Sequence, residues 1–177
     1  MKGLEGSGAG PRPAEPNVRE TPRPKIIVLV GLPGSGKSTY VEKRGATALS
    51  SDELRRLLSD DPENQNIHRR VFGVLRKLLK HRIELRRPVT YIDATNLTPY
   101  ERRAYIKLAD LYDCEIEAIF FDIPLEECQR RNRERHRAVP DEAIVEMAAR
   151  LIPPTIEEGF TRVVVLNSTS ARAADPD

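Results

Sequence analysis

Gly31-Leu32-Pro33-Gly34-Ser35-Gly36-Lys37-Ser38 follows directly on the apolar run Ile26-Ile27-Val28-Leu29-Val30. The spacing is G-x-x-x-x-G-K-[ST] in its required setting, a strand before and a helix-compatible segment after. Glycines let the backbone curl so that its N–H groups point inward at a phosphate chain. The helix that follows adds the positive end of its dipole. In this pattern Lys37 reaches the β- and γ-phosphates and the Ser38 hydroxyl ligates Mg²⁺. Gly31, Pro33, Gly34, Ser35, Gly36, Lys37, Ser38 and Thr39 are therefore expected to hold ATP, or another nucleoside triphosphate, with Mg²⁺. The alternative is a chance glycine-rich turn, and the strand before it argues against that.

Strand and helix signals alternate outward from this loop through residue 166, which predicts a parallel sheet flanked by helices. The strands are read at Lys25–Val30, Thr47–Ser50, Val89–Asp93, Glu115–Phe121 and Arg162–Leu166. Between them, Asp52 opens a helix to about Leu58, and the turn residues Ser59 to Asn64 end it. A long amphipathic helix runs from about Asn66 to Arg86, with Ile67, Val71, Val74, Leu75, Leu78, Leu79 and Ile83 at helical spacing. Thr98-Pro99-Tyr100-Glu101 is a capping-box pattern with proline at the first helical position, opening a helix to about Tyr112. Further helices are expected from Pro124 through the arginine-rich stretch to Arg137, and over Pro140–Leu151. Five short strands with helical crossovers and a phosphate loop after the first make an α/β, five-stranded parallel sheet: the P-loop NTPase fold of the nucleoside/adenylate-kinase type.

The chain has 177 residues and a net charge of +2, so composition neither demands nor forbids an anionic partner. Residues 1–24 are rich in glycine and proline without apolar periodicity and are expected to be disordered, as is the tail 167–177. The unit between, 25–166, is of ordinary single-domain size. No stretch approaches a membrane span, and the N-terminus lacks the apolar core of a signal peptide. Cys114 and Cys128 have no metal-ligand spacing and read as reduced thiols, which points to the cytoplasm.

Three constellations bear on what is done with the nucleotide. In Asp52-Glu53-Leu54-Arg55, positions i and i+3 share a helical face. At the carboxyl end of a strand that face looks into the ligand crevice. There Asp52 can accept a proton from an attacking hydroxyl, and Arg55 can clamp an anionic group. The alternative is that Asp52 merely caps the helix while Arg55 pairs with Asp60 or Asp61. In Tyr91-Ile92-Asp93-Ala94-Thr95-Asn96, Asp93 stands where a carboxylate orders Mg²⁺ or its water. Asn96 is placed to hydrogen-bond a substrate, with a plain turn as the alternative for Thr95 and Asn96. In Arg130 to Arg137, Arg131 and Arg135 lie i, i+4 apart and can close on the transferred phosphoryl group. The alternative there is a solvated basic face; Arg133 reads as structural or exposed and His136 as surface. The long helix is basic through Arg69, Arg70, Arg76, Lys77, Lys80, Arg82, Arg86 and Arg87, which can steer a polyanion. Aromatics are scarce, with no tryptophan and four phenylalanines, so sequence-specific reading of RNA is not expected.

Gly31 to Thr39, Ser51-Asp52-x-x-Arg55, Asp93-Ala94-Thr95-Asn96 and Arg131-Asn132-x-x-Arg135 occur in the order seen in the kinase domains of bacterial and phage polynucleotide kinase-phosphatases. The sequence resembles that family over about residues 25 to 166, including Pro153 to Phe160 and the strand after it. The resemblance implies transfer of the γ-phosphate of ATP to the 5′-hydroxyl of a DNA or RNA end, with Mg²⁺. It makes Asp52 the general base, Lys37 and Ser38 the phosphate and metal ligands, Arg55 the contact to the substrate's 3′-phosphate, and Arg131 and Arg135 the lid over ATP. The phosphatase and ligase parts that often accompany such a kinase are not in this sequence, so an end-healing partner is expected to be a separate protein. Related P-loop kinases with the same Asp-x-x-Arg and lid arginines act on small alcohols, sugars and antibiotics, which leaves a small-molecule kinase as the alternative. A nucleotide-dependent ATPase switch is a third reading.

Overall fold

The computed structural model describes residues 22–62, 64–135 and 138–168. Strands β1 (Lys25–Val30), β2 (Ala48–Ser50), β3 (Val89–Asp93), β4 (Glu115–Asp122) and β5 (Arg162–Asn167) form one parallel sheet in the order β2-β3-β1-β4-β5. Helices α1 (Lys37–Glu42), α2 (Ser51–Ser59), α3 (His68–Glu84), α4 (Pro99–Leu111), α5 (Leu125–Arg133) and α6 (Asp141–Arg150) carry the crossovers. The fold expected from the alternating pattern is present.

β1 is apolar from Ile26 to Val30 because it is central. It pairs with β3 on one side and β4 on the other, with Ile27 opposite Tyr91 and Glu117. The pleat sends alternate side chains to opposite faces. Ile26, Val28 and Val30 pack with Val71, Leu75 and Leu79 of α3 and Tyr105 of α4. Ile27 and Leu29 pack with Val41 of α1, Cys128 of α5 and Ile144 of α6. Each helix thus delivers its apolar stripe to one sheet face, and every strand ends at the same edge as the phosphate loop.

The long amphipathic segment is divided: a 3₁₀ turn, Gln65–Ile67, precedes α3, which begins at His68 rather than Asn66. The turn follows Asn64, whose side chain accepts from the Asn66 N–H at 3.0 Å. A second 3₁₀ turn, Ile156–Glu158, had no periodic signal to reveal it. The expected disorder needs correction at its inner boundaries. The Pro24 carbonyl accepts from the Glu115 N–H at 3.0 Å, and Asn167 closes the β4–β5 ladder opposite Asp122. The rest of the two expected disordered segments, 1–21 and 169–177, lies outside the described residues. Among the described residues no helix is long and apolar enough to cross a membrane.

Candidate active site

The phosphate loop turns where glycine permits it. Gly36, at φ +98°, is the N-cap of α1 and leaves the first helical N–H groups without a side-chain cap, so they are available to phosphate oxygens. Lys37 is buried, and its ammonium donates to the Gly31 carbonyl at 2.9 Å, the Leu32 carbonyl at 2.7 Å and Ser35 Oγ at 3.3 Å. Burial pulls its pKa down to about 8, against the opposing pull of Asp93.

A cavity of about 380 Å³ opens over the loop. Residues 34–39 form its polar floor, and Tyr40, Phe121 and Leu166 supply an apolar wall. The Tyr40 ring meets Phe121 edge-on at 5.5 Å and carries the Arg44 guanidinium 3.5 Å above its face. This wall is the shape of a nucleobase slot. The motif reading missed it; the i, i+4 spacing of Tyr40 and Arg44 was a visible signal, whereas Leu166 arrives only through the strand order. Gly31 and Pro33, expected to line the site, serve the loop itself: the Gly31 N–H donates to the Thr95 carbonyl at 3.1 Å, and Pro33 is half-buried beside it.

A second crevice is bounded by Ser38, Ser50, Asp52, Asp93 and Arg135. Ser38 Oγ donates to Asp93 Oδ2 at 2.8 Å. Burial raises the Asp93 carboxyl above its usual range, opposed by the Ser38 hydrogen bond. Asp52 stands at the mouth with its side chain 78% exposed. It does not cap α2, because Ser50 does so by accepting from the Glu53 N–H. Instead Arg55 Nη1 donates to Asp52 Oδ1 at 2.9 Å. Arg55 thus pairs within the Asp52-x-x-Arg55 constellation, not as in the alternative reading that set it against Asp60 or Asp61. Nor does Arg55 line the crevice as an open clamp: it is buried, and its Nε has no partner among the described residues.

One expectation for the neighbouring residues differs from what is found. Asn96 does not face a substrate. It is buried in a left-handed backbone conformation, and its amide nitrogen donates to the Leu29 carbonyl at 2.7 Å, tying the end of β3 to β1. Arg102, which sequence reasoning passed over, is wholly buried behind it. Its guanidinium donates to the Asn96 carbonyl at 2.8 Å, the Ile152 carbonyl at 3.1 Å and both Glu158 oxygens. No local pattern distinguishes Arg102 from the exposed arginines around it, and its partner lies on a 3₁₀ turn that only the fold brings near.

Arg131 and Arg135 come from α5 and the turn after it. Arg131 lines the first cavity while its Nε donates to Glu127 at 2.7 Å; Arg135 lines both cavities. Arg130 and Arg131 hold the Glu127 carboxyl down at about 2. Arg133 is engaged elsewhere, with Asp141 at 2.7 Å. His136 and Arg137 lie outside the described residues. Asn132, fully buried, clasps the returning chain: its amide donates to the Val139 carbonyl at 2.7 Å and accepts from the Val139 N–H at 3.0 Å.

Gly34 (φ +81°) packs against this helix so closely that a methyl group there would lie 2.3 Å from the Cys128 carbonyl oxygen. Gly34→Ala should therefore push α5 and its arginines off the loop, raising KM for ATP at least tenfold; an unchanged KM would show that the two elements are not coupled.

Residues 26–154 match the AAA_33 family model, described as an AAA domain. The chain belongs to this family. Among curated relatives, the bifunctional polynucleotide phosphatase/kinase of Schizosaccharomyces pombe is 28% identical over 146 residues, covering 78% of this chain and 32% of that protein. The adenylyl-sulfate kinase of Pseudomonas aeruginosa is 29% identical over 125 residues, covering 62% and 60%. A chain of the Pnkp1/Rnl/Hen1 RNA repair complex superposes with a TM-score of 0.63 at 25% identity, covering 73% of this chain and 44% of that one. The chain thus spans about a third of the first of these relatives and 60% of the second. The chain has a P-loop kinase fold, and its relatives include a polynucleotide phosphatase/kinase, in line with what its motifs led us to expect, and a small-molecule kinase too.

Proposed function

We propose that this protein is an ATP-dependent polynucleotide 5′-hydroxyl kinase working in the cytoplasm. The observation that carries the reading is the Asp52–Arg55 pair at the mouth of a crevice shared with Ser38, Asp93 and Arg135. An acceptor entering there meets a carboxylate on the far side of the phosphate loop. The 5′-oxygen attacks the γ-phosphorus, and Asp52 accepts its proton. The bond from the γ-phosphorus to the β–γ bridging oxygen breaks as the new O–P bond forms, and ADP leaves without needing a proton. Lys37 exchanges the Gly31 and Leu32 carbonyls for phosphate oxygens, and Arg135, common to both cavities, faces the charge on the moving group. Arg131 closes over the nucleotide. Arg55, buried behind Asp52, orients its carboxylate through a 2.9 Å hydrogen bond.

Ser38 and Asp93 fit a Mg²⁺ held in part by phosphate oxygens: one hydroxyl and one carboxylate, already 2.8 Å apart. No cluster of three or more His, Cys, Asp or Glu exists among the described residues to form an all-protein cage. Ser38 and Asp93 would hold the ion, which would supply positive charge against that developing on the transferred phosphoryl group. The kinase would work with a partner phosphatase or ligase in end repair, a reading supported by its likeness to a chain of an RNA repair complex.

The second reading, a kinase of small alcohols, is favoured by the adenylyl-sulfate kinase relative. With γ-labelled ATP and Mg²⁺, label should move to 5′-hydroxyl oligonucleotides and not to adenylyl sulfate, with KM for the oligonucleotide rising steeply with salt. Label on adenylyl sulfate alone would establish the second reading.

The Lys37 environment sets a pH signature. Its folded pKa of about 8 lies below the usual 10.5, so the free enzyme loses this charge as pH rises through about 8. kcat/KM for ATP should fall above that point, while kcat, reporting the triphosphate-bound form, should hold to higher pH. The stability sign is opposite: the unfolded chain binds the extra proton between about 8 and 10.5, so this group's contribution to stability rises with pH there. Initial rates with circular dichroism in parallel check that activity falls without unfolding.

A further inference from the structure

An exposed aromatic residue and a cationic helix turn stand on α4 and α3, at the edge of the sheet where the strands end, and the reaction just described uses neither. Tyr100 is 76% exposed on the first turn of α4, whose backbone is unusually well fixed. Thr98 Oγ1 accepts from the Glu101 N–H at 3.3 Å, Glu101 Oε2 from the Leu97 N–H at 2.7 Å, and buried Arg102 holds the Asn96 carbonyl. Arg103 sits with its guanidinium 5.0 Å from the Tyr100 ring centroid. An exposed aromatic on a rigid turn, backed by a cation, presents a preorganised π-face.

Asp52 bonds Arg55 at 2.9 Å on α2, which like α4 begins where a strand of the sheet ends. Arg150 bonds Glu101 at 3.0 Å, the residue next to Tyr100. α3 runs back to the start of β3, so its N-terminus lies at the crevice edge of the sheet.

That first turn reads His68-Arg69-Arg70, with no acidic residue and no side-chain cap. Cations there oppose the helix dipole. Arg69 and Arg70 are exposed and make no ion pair among the described residues. Their Cα–Cβ bonds lean toward the N-terminus, over the edge. The rest of the basic face is partly engaged: Lys80 pairs with Glu84, and Arg82 donates to Thr90. Two exposed, like-charged side chains at the end of a helix where the dipole disfavours them suit an anionic partner rather than the fold.

We infer that α3's first turn and Tyr100 form the track for the single strand of a nucleic-acid acceptor beyond its reacting 5′ nucleoside, with Arg69 and Arg70 meeting backbone phosphates and Tyr100 stacking a base. This inference rests on the polynucleotide reading above. Stacking on aromatics tolerates any base, in keeping with a kinase that reads an end rather than a sequence.

The test uses the full chain and 5′-hydroxyl acceptors of increasing length, from a nucleoside 3′-monophosphate to a single-stranded 12-mer. In the wild type, KM should fall as the acceptor lengthens. Tyr100→Ala should reduce the ratio of mononucleotide to 12-mer KM by about tenfold, with ATP affinity as the folding control. Arg69→Gln with Arg70→Gln should lower the slope of log KM against log salt by about 1 to 2 for the 12-mer. Unchanged ratios and slopes in both variants of an enzyme active on oligonucleotides would overturn the track alone. A wild type that labels no nucleic acid of any length would overturn the polynucleotide reading and the track together.

Discussion

Asp52→Asn is expected to lower the turnover of phosphoryl transfer by about 10²- to 10⁴-fold, the range a positioned general base supplies. Asparagine keeps the size and can still hydrogen-bond Arg55, but it has no carboxylate to take the hydroxyl proton. Donor binding should survive, because Asp52 belongs to the second crevice and not to the cavity over the phosphate loop. Kd for ATP measured by calorimetry should therefore stay within about twofold while single-turnover label transfer collapses. Turnover within about tenfold of the wild type would remove Asp52 from the chemistry and leave only a helix-surface carboxylate beside Arg55.

The largest effect on stability is expected at Arg102. Its side chain is fully buried and its partner Glu158 is only 12% exposed. Removing one member of a buried pair strands the other charge, at a cost of about 3–5 kcal/mol. In Arg102→Met the Asn96 and Ile152 carbonyls also lose their donor. For a chain of this size the loss corresponds to a fall in Tm of about 6–20 °C. Glu158→Gln in the same background should recover part of it by removing the stranded charge. The consequence reaches the site, since Asn96 links the end of β3 to Leu29 just ahead of the phosphate loop. A Tm within about 2 °C of the wild type would show that the pair is dispensable.

The fold was legible because its signals are local and repeated. β1 is an unbroken apolar run as a doubly covered strand must be, and Val89–Asp93 was bounded by Pro88 and by the turn after Asp93. Thr98 and Pro99 announced α4 through capping chemistry, and Thr98 does accept from the Glu101 N–H. The Glu101 carboxylate differs from the expected box by reaching Leu97 instead of Thr98. The candidate site was legible as far as motifs carry their own geometry. The loop, the Ser38–Asp93 contact and the Asp52–Arg55 pair all follow from where strands end in a parallel sheet.

What stayed hidden depends on long-range contacts. Asn96 looks like a polar residue at a strand end, and only the neighbouring strand shows that Leu29 captures its amide. Arg55 had the spacing of a clamp, yet its burial depends on α3 packing over α2. Arg102 and Leu166, and Tyr40 in its contact with Phe121, owe their roles to partners far away in the chain, so no window of sequence displays them.

The central claim is a geometric one, that the acceptor's terminal hydroxyl lies between Asp52 and the γ-phosphate. A crystal structure with Mg²⁺, a non-hydrolysable ATP analogue and a short 5′-hydroxyl oligonucleotide measures it directly. The account predicts an Asp52 carboxylate oxygen at about 2.6–3.2 Å from the 5′-oxygen, with that oxygen in line with the β–γ bridge. A 5′-end bound elsewhere, with Asp52 turned to solvent while Arg131 and Arg135 cover the nucleotide, would contradict it.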